Sequence, residues 1–346
     1  MLRNIARKLI PAASAVVSTQ FVQRHFGNFV PIFMLHRLDH PDYGIKGQNP
    51  AEIRSNLDYF RKHGYSAITL EELGRHIDQG TQPPYKSAVF TIDDGFIDHY
   101  DIAGPLFKEF DIPLTFFLVV DFIDGKLWPW DNHLSHLFTM APSSRHEITV
   151  GSNVITVELN DKHSRSRALN LIREQFKSVD NTHMYNDIEK LYKTLNVDFS
   201  PTPPRHHTPM SWEQAAGLVR GGHCVAGHTC THRILSRLQD DDAEIEITRS
   251  IRIVNDNVPG ASSVFAYPTG RLSDFTYREV RILKKLEIQA SVATIPAPFT
   301  YSPTLSDFEK HSLPRLPMPN SKIDFIQYLG WIEYLKHKIH GKRLES

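Results

Sequence analysis

An α/β fold built around a parallel sheet is predicted by three observations. Short runs rich in β-branched and aromatic residues recur at 30–35, 87–92, 114–120, 264–267 and 290–294. Longer helical patterns separate them, which is the alternation of βα units. A chain of 346 residues with 40% hydrophobic residues can bury a large core, which excludes a disordered or fibrous polymer.

Composition narrows the partners. With 39 Lys and Arg against 39 Asp and Glu, the net charge is zero, so no global field draws this surface to nucleic acid or anionic lipid. Two cysteines, Cys224 and Cys230, cannot build a disulfide framework. The 19 histidines are more suggestive, because neutral imidazole is the commonest metal ligand. The best apolar run, 114–120, stops well short of the roughly 20 residues that a spanning helix needs.

Taken in order, residues 1–28 read as an N-terminal amphipathic or targeting segment. Arg3, Arg7 and Lys8 precede a modestly apolar stretch at 9–17, as in a signal peptide, but Pro11, Ala12, Ala13 and Ser14 dilute it. An amphipathic helix through Phe21, lying on a protein or membrane surface, is the preferred reading. Helices are predicted over 49–63, 71–78, 98–109, 211–220, 240–257, 273–286 and 322–338. Asp240, Asp241 and Asp242 favour the start of their helix, and Pro259-Gly260 ends it. At 147–150 and 154–159 polar and apolar residues alternate around Gly151-Ser152-Asn153, the pattern of a β-hairpin. Two polar helical patterns follow, at 164–178 and 184–195, so about 140–205 reads as an insertion into a unit running from 29 to 320. Residues 321–346 are expected to form a C-terminal helix and a basic tail.

Three motifs carry the chemistry. In Thr91-Ile92-Asp93-Asp94-Gly95-Phe96 an apolar strand runs into two adjacent carboxylates, which ionise together only if a cation or hydrogen-bond donors compensate. One can then bind metal while the other stays available for proton transfer, although a polar turn is the plainer reading of these residues alone. Gly227-His228-Thr229-Cys230-Thr231-His232 places two histidines at i and i+4, the spacing that presents two imidazoles to one ion from a helical turn. Together the motifs supply one carboxylate and two imidazoles, with positions left for water. In Phe265-Ala266-Tyr267-Pro268-Thr269-Gly270 a strand ends in a turn that can aim a backbone N–H at a reaction centre.

These motifs, in this order, resemble those of the polysaccharide deacetylases with a NodB-homology domain, a carbohydrate esterase type. Phe33-Met34-Leu35-His36-Arg37 is similar to the opening strand of a branch that carries the final-motif histidine near the N-terminus. Met210-Ser211-Trp212-Glu213 resembles the start of the helix leading into the second motif. The resemblance covers about 30–140 and 205–320. It implies a deformed (β/α) barrel and a metal-dependent hydrolase that removes N-acetyl groups from N-acetylhexosamine residues of a polysaccharide or lipid-linked glycan. By resemblance Asp93 is the general base, and Asp94, His228 and His232 ligate a divalent ion, zinc first and cobalt, manganese or nickel as alternatives. The Thr269 N–H belongs to the oxyanion hole. His36 is the general acid, with His311 as its competitor.

A substrate-binding set is expected from Trp128, Trp130, Asp131, Tyr267 and Arg315, the tryptophans packing on the apolar face of a pyranose. The third motif lacks the family's usual arginine, so Asp93 loses its charged neighbour unless Arg315 or Arg271 replaces it. Cys224 stands where the family often has glutamate, and Cys230 reads as a spectator. Other classes remain: a non-catalytic carbohydrate-binding protein of the same fold, or an amidase acting on a small C–N substrate. The expected setting is the bacterial cytoplasm or inner-membrane surface, serving the cell envelope, with peripheral membrane contact through the N-terminal segment and no nucleic-acid partner.

Overall fold

Alternation along each strand sorts the side chains of one curled sheet into an inner and an outer layer. The structure is a computed structural model that describes residues 29–330. The segment expected over 1–28, the basic tail and the far half of the helix expected at 322–338 lie outside the described residues.

The strands are β1 (Phe29–Val30), β2 (Ile32–Leu35), β3 (Ser66–Ala67), β4 (Ser87–Asp94), β5 (Thr115–Leu118), β6 (Arg145–Val150), β7 (Asn153–Glu158), β8 (Cys224–Gly227), β9 (Val264–Ala266), β10 (Ala290–Val292), β11 (Phe299–Thr300) and β12 (Leu316–Pro317). Seven of them form an all-parallel half-barrel in the order β10-β9-β8-β5-β4-β2-β12, and β3 pairs with β4 beside it. Residues 313–317 draw its two edges together. The Leu313 N–H donates to the Ser291 carbonyl on β10 at 3.0 Å, while Leu316 and Pro317 pair with Phe33 and Met34.

In β4, Ala88, Phe90 and Ile92 face the helices with Phe33, Leu35, Phe116 and Leu118. Val89 faces the interior with Ile32, Phe117, Ala226, Val264, Ala266 and Val292. The period of two therefore sends Thr91 and Asp93 inward as well. Helices Pro50–Lys62, Trp212–Arg220, Asp240–Asn257 and Tyr277–Lys285 cover the outer face, while Leu70–Asp78 packs Leu70, Leu73 and Ile77 against the interior set. Each has an apolar stripe inward, and Thr69, Ser211 and Thr276 start their helices with reciprocal capping boxes. The helix predicted over 98–109 begins as a π-helical turn, His99–Ala103, before Gly104–Glu109. No helix among the described residues is long and apolar enough to cross a membrane.

The hairpin β6–β7 and helices Lys162–Ser178 and Met184–Thr194 form where the alternation and helical periodicity place them. Their core includes Ile148, Val150, Ile172, Phe176, Ile188 and Leu191, and it also takes in Trp130, Leu134 and Phe138 from a helix at Trp130–Met140. That helix was not expected, because the run around Pro129 reads as a loop; the proline instead stands at the helix N-cap, where its missing N–H costs nothing.

Candidate active site

Chemistry gathers where the strands end. Asp93 is buried, and Arg315 grips both of its oxygens at 2.7 Å while also donating to Thr91 Oγ1 (3.2 Å) and the Ala293 carbonyl (3.2 Å). Burial alone would raise the Asp93 carboxyl; the Arg315 charge, His228 and the Arg315 hydrogen bonds outweigh it and hold the group well below the usual carboxylate range. Asp94 moves the other way, raised chiefly by burial. Two adjacent carboxylates thus have separated protonation behaviour, the arrangement that lets one serve as base and the other as ligand. Asp94 has φ +90° and Gly95 φ +91°, and a Cβ on Gly95 would lie 2.8 Å from Ile123 Cδ1. The strand therefore ends in a left-handed pair that re-aims Asp94 toward the histidines.

His228 follows β8 on the inward face, two residues after Ala226. Its Nδ1–H donates to the Ala266 carbonyl at 2.7 Å, leaving Nε2 free toward the cleft. Nε2 of His228 and of His232 lie 3.7 and 3.4 Å from Asp94 Oδ1, and the three candidate ligand atoms fall within 4.8 Å of one another. Burial pushes both imidazoles down to about 4, so both are neutral at neutral pH, the form that ligates metal. His232 Nδ1 is buried without a hydrogen-bond partner. One carboxylate and two neutral imidazoles converging at this distance fit a divalent ion.

The second motif is not the helical turn that its spacing suggested. Thr229 (φ +66°) and His232 (φ +60°) are left-handed, and Thr229 Oγ1 accepts the His232 N–H at 3.0 Å. The spacing of four is met by a looped backbone instead. What braces the loop is Glu246, a buried carboxylate accepting the Cys230 and Thr231 N–H groups at 2.9 Å each, the Thr231 hydroxyl at 2.5 Å and Arg233 Nη2 at 2.9 Å. Its signal in the sequence is position: Glu246 lies on the stripe Ala243, Ile247, Ser250 and Val254 that the helix buries, where a carboxylate needs donors. Cys230 is buried, and burial pushes its thiol up to about 12, so it stays protonated beside the histidines.

His36 extends the inward series Ile32 and Met34 and is exposed to the cleft. His99 Nε2–H donates to its carbonyl at 2.6 Å, and buried Asp98 accepts the Leu38 N–H (2.7 Å) and Arg37 Nε–H (3.0 Å), which fixes this strand end. His311 lies elsewhere. It is buried with Nδ1 at 3.1 Å from Ser291 Oγ, next to Gln289 and Glu287, which precede β10 at the opposite end of the sheet. Thr269 lines the cleft with φ +56°, its hydroxyl bonded to Asp274.

Of the expected substrate contacts, Trp130 and Tyr267 line the cleft although they are almost wholly buried, whereas Trp128 and Arg315 do not line it. Trp128 is 1% exposed, packed on His133 at 3.7 Å between ring centroids, with its indole N–H on the Ser200 carbonyl. Trp130 is fully buried in the insertion core, and its N–H donates to the His232 carbonyl at 3.1 Å. Tyr267 follows Phe265 outward by strand alternation and stacks on Phe275 at 3.9 Å. Arg315 is spent on Asp93 and occupies the role of charged neighbour; Arg271 instead pairs with Glu174. Asp131 does line the cleft, ion-paired to Arg173 at 2.5 Å.

The cleft measures about 630 Å³. Barrel residues His36, Asp93, Asp94, His228, His232 and Thr269 line one side, and Asn170, Arg173, Glu174 and Lys177 of the insertion line the other. The insertion also bonds to the loop that bears His228 and His232: Tyr185 Oη–H donates to the Thr231 carbonyl (2.7 Å), Arg233 donates to the Thr182 carbonyl (3.1 Å), and Asn181 Oδ1 accepts the Ile234 N–H (3.2 Å).

Comparison with known proteins agrees with this geometry. The family model for polysaccharide deacetylases matches residues 80–291, more than half of the chain. A curated Bacillus subtilis protein named for the same family, YxkH, is 28% identical over 133 residues, which span 38% of this chain and only 44% of that protein. The Streptococcus pyogenes deacetylase PplD, solved in complex with acetate, has the same fold with a TM-score of 0.54 and 17% identity over 88% of this chain and 99% of its own. A polysaccharide deacetylase from Bacillus cereus superposes with a TM-score of 0.52 and 16% identity over 88% of this chain and 70% of its own.

Proposed function

The chain belongs to the polysaccharide deacetylase family, and from that premise we propose that it is a metal-dependent carbohydrate N-deacetylase. Its substrates are N-acetylhexosamine residues of a polysaccharide or lipid-linked glycan, which it hydrolyses to the free amine and acetate. Asp94, His228 and His232 hold a divalent ion, zinc first among the candidates. When bound, the ion supplies Lewis acidity toward the acetamide carbonyl and lowers the pKa of a coordinated water.

This chain's own groups do the rest. Asp93 accepts the proton of the attacking water, and Arg315 keeps that carboxylate ionised and fixed in plane. The Thr269 N–H donates to the oxygen on which charge develops. His36, at the cleft side of β2, gives a proton to the departing amine. What supports the reading most is the meeting at one cleft of a carboxylate held ionised by its guanidinium partner and two imidazoles held neutral by burial.

Acetate release from N-acetylglucosamine oligosaccharides tests it, comparing metal-loaded protein, chelated protein and Asp93→Asn. Acetate is expected only with metal and Asp93, the variant losing at least about 10²-fold in turnover while keeping its metal. His36→Ala should lose about 10²–10⁴-fold with metal content intact, whereas His311→Ala, at the far end of the sheet, should keep its turnover. Acetate from the chelated protein, or wild-type turnover in Asp93→Asn, overturns the proposal.

A further inference from the structure

The cleft wall opposite the Asp94, His228 and His232 group has chemistry of its own. Asn170, Arg173, Glu174 and Lys177 recur at i, i+3, i+4 and i+7 on helix Lys162–Ser178, so they share one face, while Ala168, Ile172 and Phe176 bury the other. A polar stripe aimed into a cleft by its own apolar backing is a built surface, not a solvated helix side. Its charges are unequally matched. Arg173 is neutralised by Asp131 alone, but Glu174 receives Arg271 through two bonds of 2.7 and 2.9 Å and Lys177 at 3.1 Å. On this wall two cations therefore share the Glu174 carboxylate, with buried Asp274 the next nearest anion to Arg271.

The placement matters as much as the count. Arg271 follows Thr269 and Gly270 in the third-motif turn, so the Arg271–Glu174 pair joins the barrel to the insertion across the mouth of the cleft. Both side chains are about half exposed, at 49% and 51%, and an exposed pair of this kind is weak enough for another anion to displace it. Glu174 already behaves as a strongly held anion, kept at about 2 chiefly by its Arg271 bonds.

Building on the N-deacetylase reading, we propose that Lys177 and Arg271 form a subsite for an anionic group, carboxylate or phosphate, carried by the glycan beside the sugar to be deacetylated. Glu174 holds the two cations in register until the substrate anion replaces it. Planar Arg271 suits bidentate recognition of such an oxyanion, and Lys177 adds a point charge.

Calorimetric binding to the metal-loaded protein tests this with three oligosaccharides of equal length: neutral N-acetylglucosamine units, the same chain with one phosphate monoester, and a chain containing a uronate. At least one anionic ligand should bind about tenfold more tightly than the neutral one, and added salt should reduce the ratio. Preference for the phosphate or for the uronate identifies the source of the anion. Lys177→Gln with Arg271→Gln should bring the ratio to about one. Glu174→Gln, which removes the competing carboxylate, should raise it above wild type, an effect that a purely structural role would not give. Equal binding of all three ligands, or a preference that survives the double substitution, overturns the subsite. Acetate release is scored separately: preference without acetate refutes deacetylation of these glycans and sustains the subsite, and acetate without preference does the reverse.

Discussion

Arg315 holds both carboxylate oxygens of Asp93 at 2.7 Å although the two residues stand 222 positions apart, and both are buried. The pair exists because residues 313–317 draw the edge strand β10 and the edge strand β12 together, which carries the guanidinium under the end of β4. An aspartate at the end of a barrel strand is thereby kept ionised by a residue that no local motif contains.

Replacing Arg315 with methionine should cost about 3–5 kcal/mol of stability, because it leaves an unpaired buried carboxylate. Denaturant unfolding measures this. Without the cation the Asp93 carboxyl titrates at higher pH, so the acid limb of the pH–rate profile should move upward, with Arg315→Lys falling between. Unchanged stability together with an unmoved acid limb would remove Arg315 from its assigned role.

Glu246 touches no candidate ligand, yet it fixes the backbone between His228 and His232. Glu246→Gln keeps the shape but loses the charge that gathers two N–H groups, a hydroxyl and Arg233. Metal affinity should fall about 10–100-fold, measured by competition with a chelating dye. An unaltered affinity would mean that the loop holds its form without this carboxylate.

Acid should weaken the fold through buried histidines remote from the candidate metal ligands. Burial, then His136 and His207, pushes His133 down to about 3; burial, then His206 and Arg37, does the same to His207. Their folded values lie below the unfolded value of about 6.5, so the unfolded chain takes up protons that the folded one refuses. Stability from these groups is full above about pH 6.5 and is lost as pH falls toward 3, by about 2 kcal/mol per histidine at pH 5. Unfolding free energies at pH 7.5 and pH 5 should show the fall, and His133→Phe, which keeps a ring against Trp128, should flatten it. An equal fall in that variant would assign the acid sensitivity to other groups.

The sequence was most readable where one period rules. An apolar run rich in β-branched and aromatic residues located β4 and put Asp93 and Asp94 at its end, and alternation located the hairpin; which way Asp93 faces came only from the structure. Spacing told less where backbone geometry decides: His228 and His232 have the spacing of a helical turn but stand on a loop with two left-handed residues. The four-residue strand Cys224–Gly227, with a glycine and a cysteine, was too short to carry a pattern. Trp128 packs away from the cleft while Trp130 borders it, a difference the sequence could not show because an indole beside a motif looks alike whether it faces a cleft or a core. Arg315 was named both as a sugar contact and as a substitute neighbour for Asp93, and only the meeting of the sheet edges decides between them. The stripe Asn170, Arg173, Glu174 and Lys177 had a readable period, but nothing local says that a cleft lies in front of it.

The insertion resembles a graft, a hairpin and helices set between two barrel strands with a core of their own. It is nonetheless not a cassette that can be excised. The Thr231 carbonyl finds its donor in Tyr185, and the Ile234 N–H finds its acceptor in Asn181. Cutting at the two junctions would leave that carbonyl without its donor and that N–H without its acceptor. A minimal barrel made from this chain would lose supports of the loop that bears His232 along with the hairpin, so the far wall of the cleft and the histidine loop have to be inherited together.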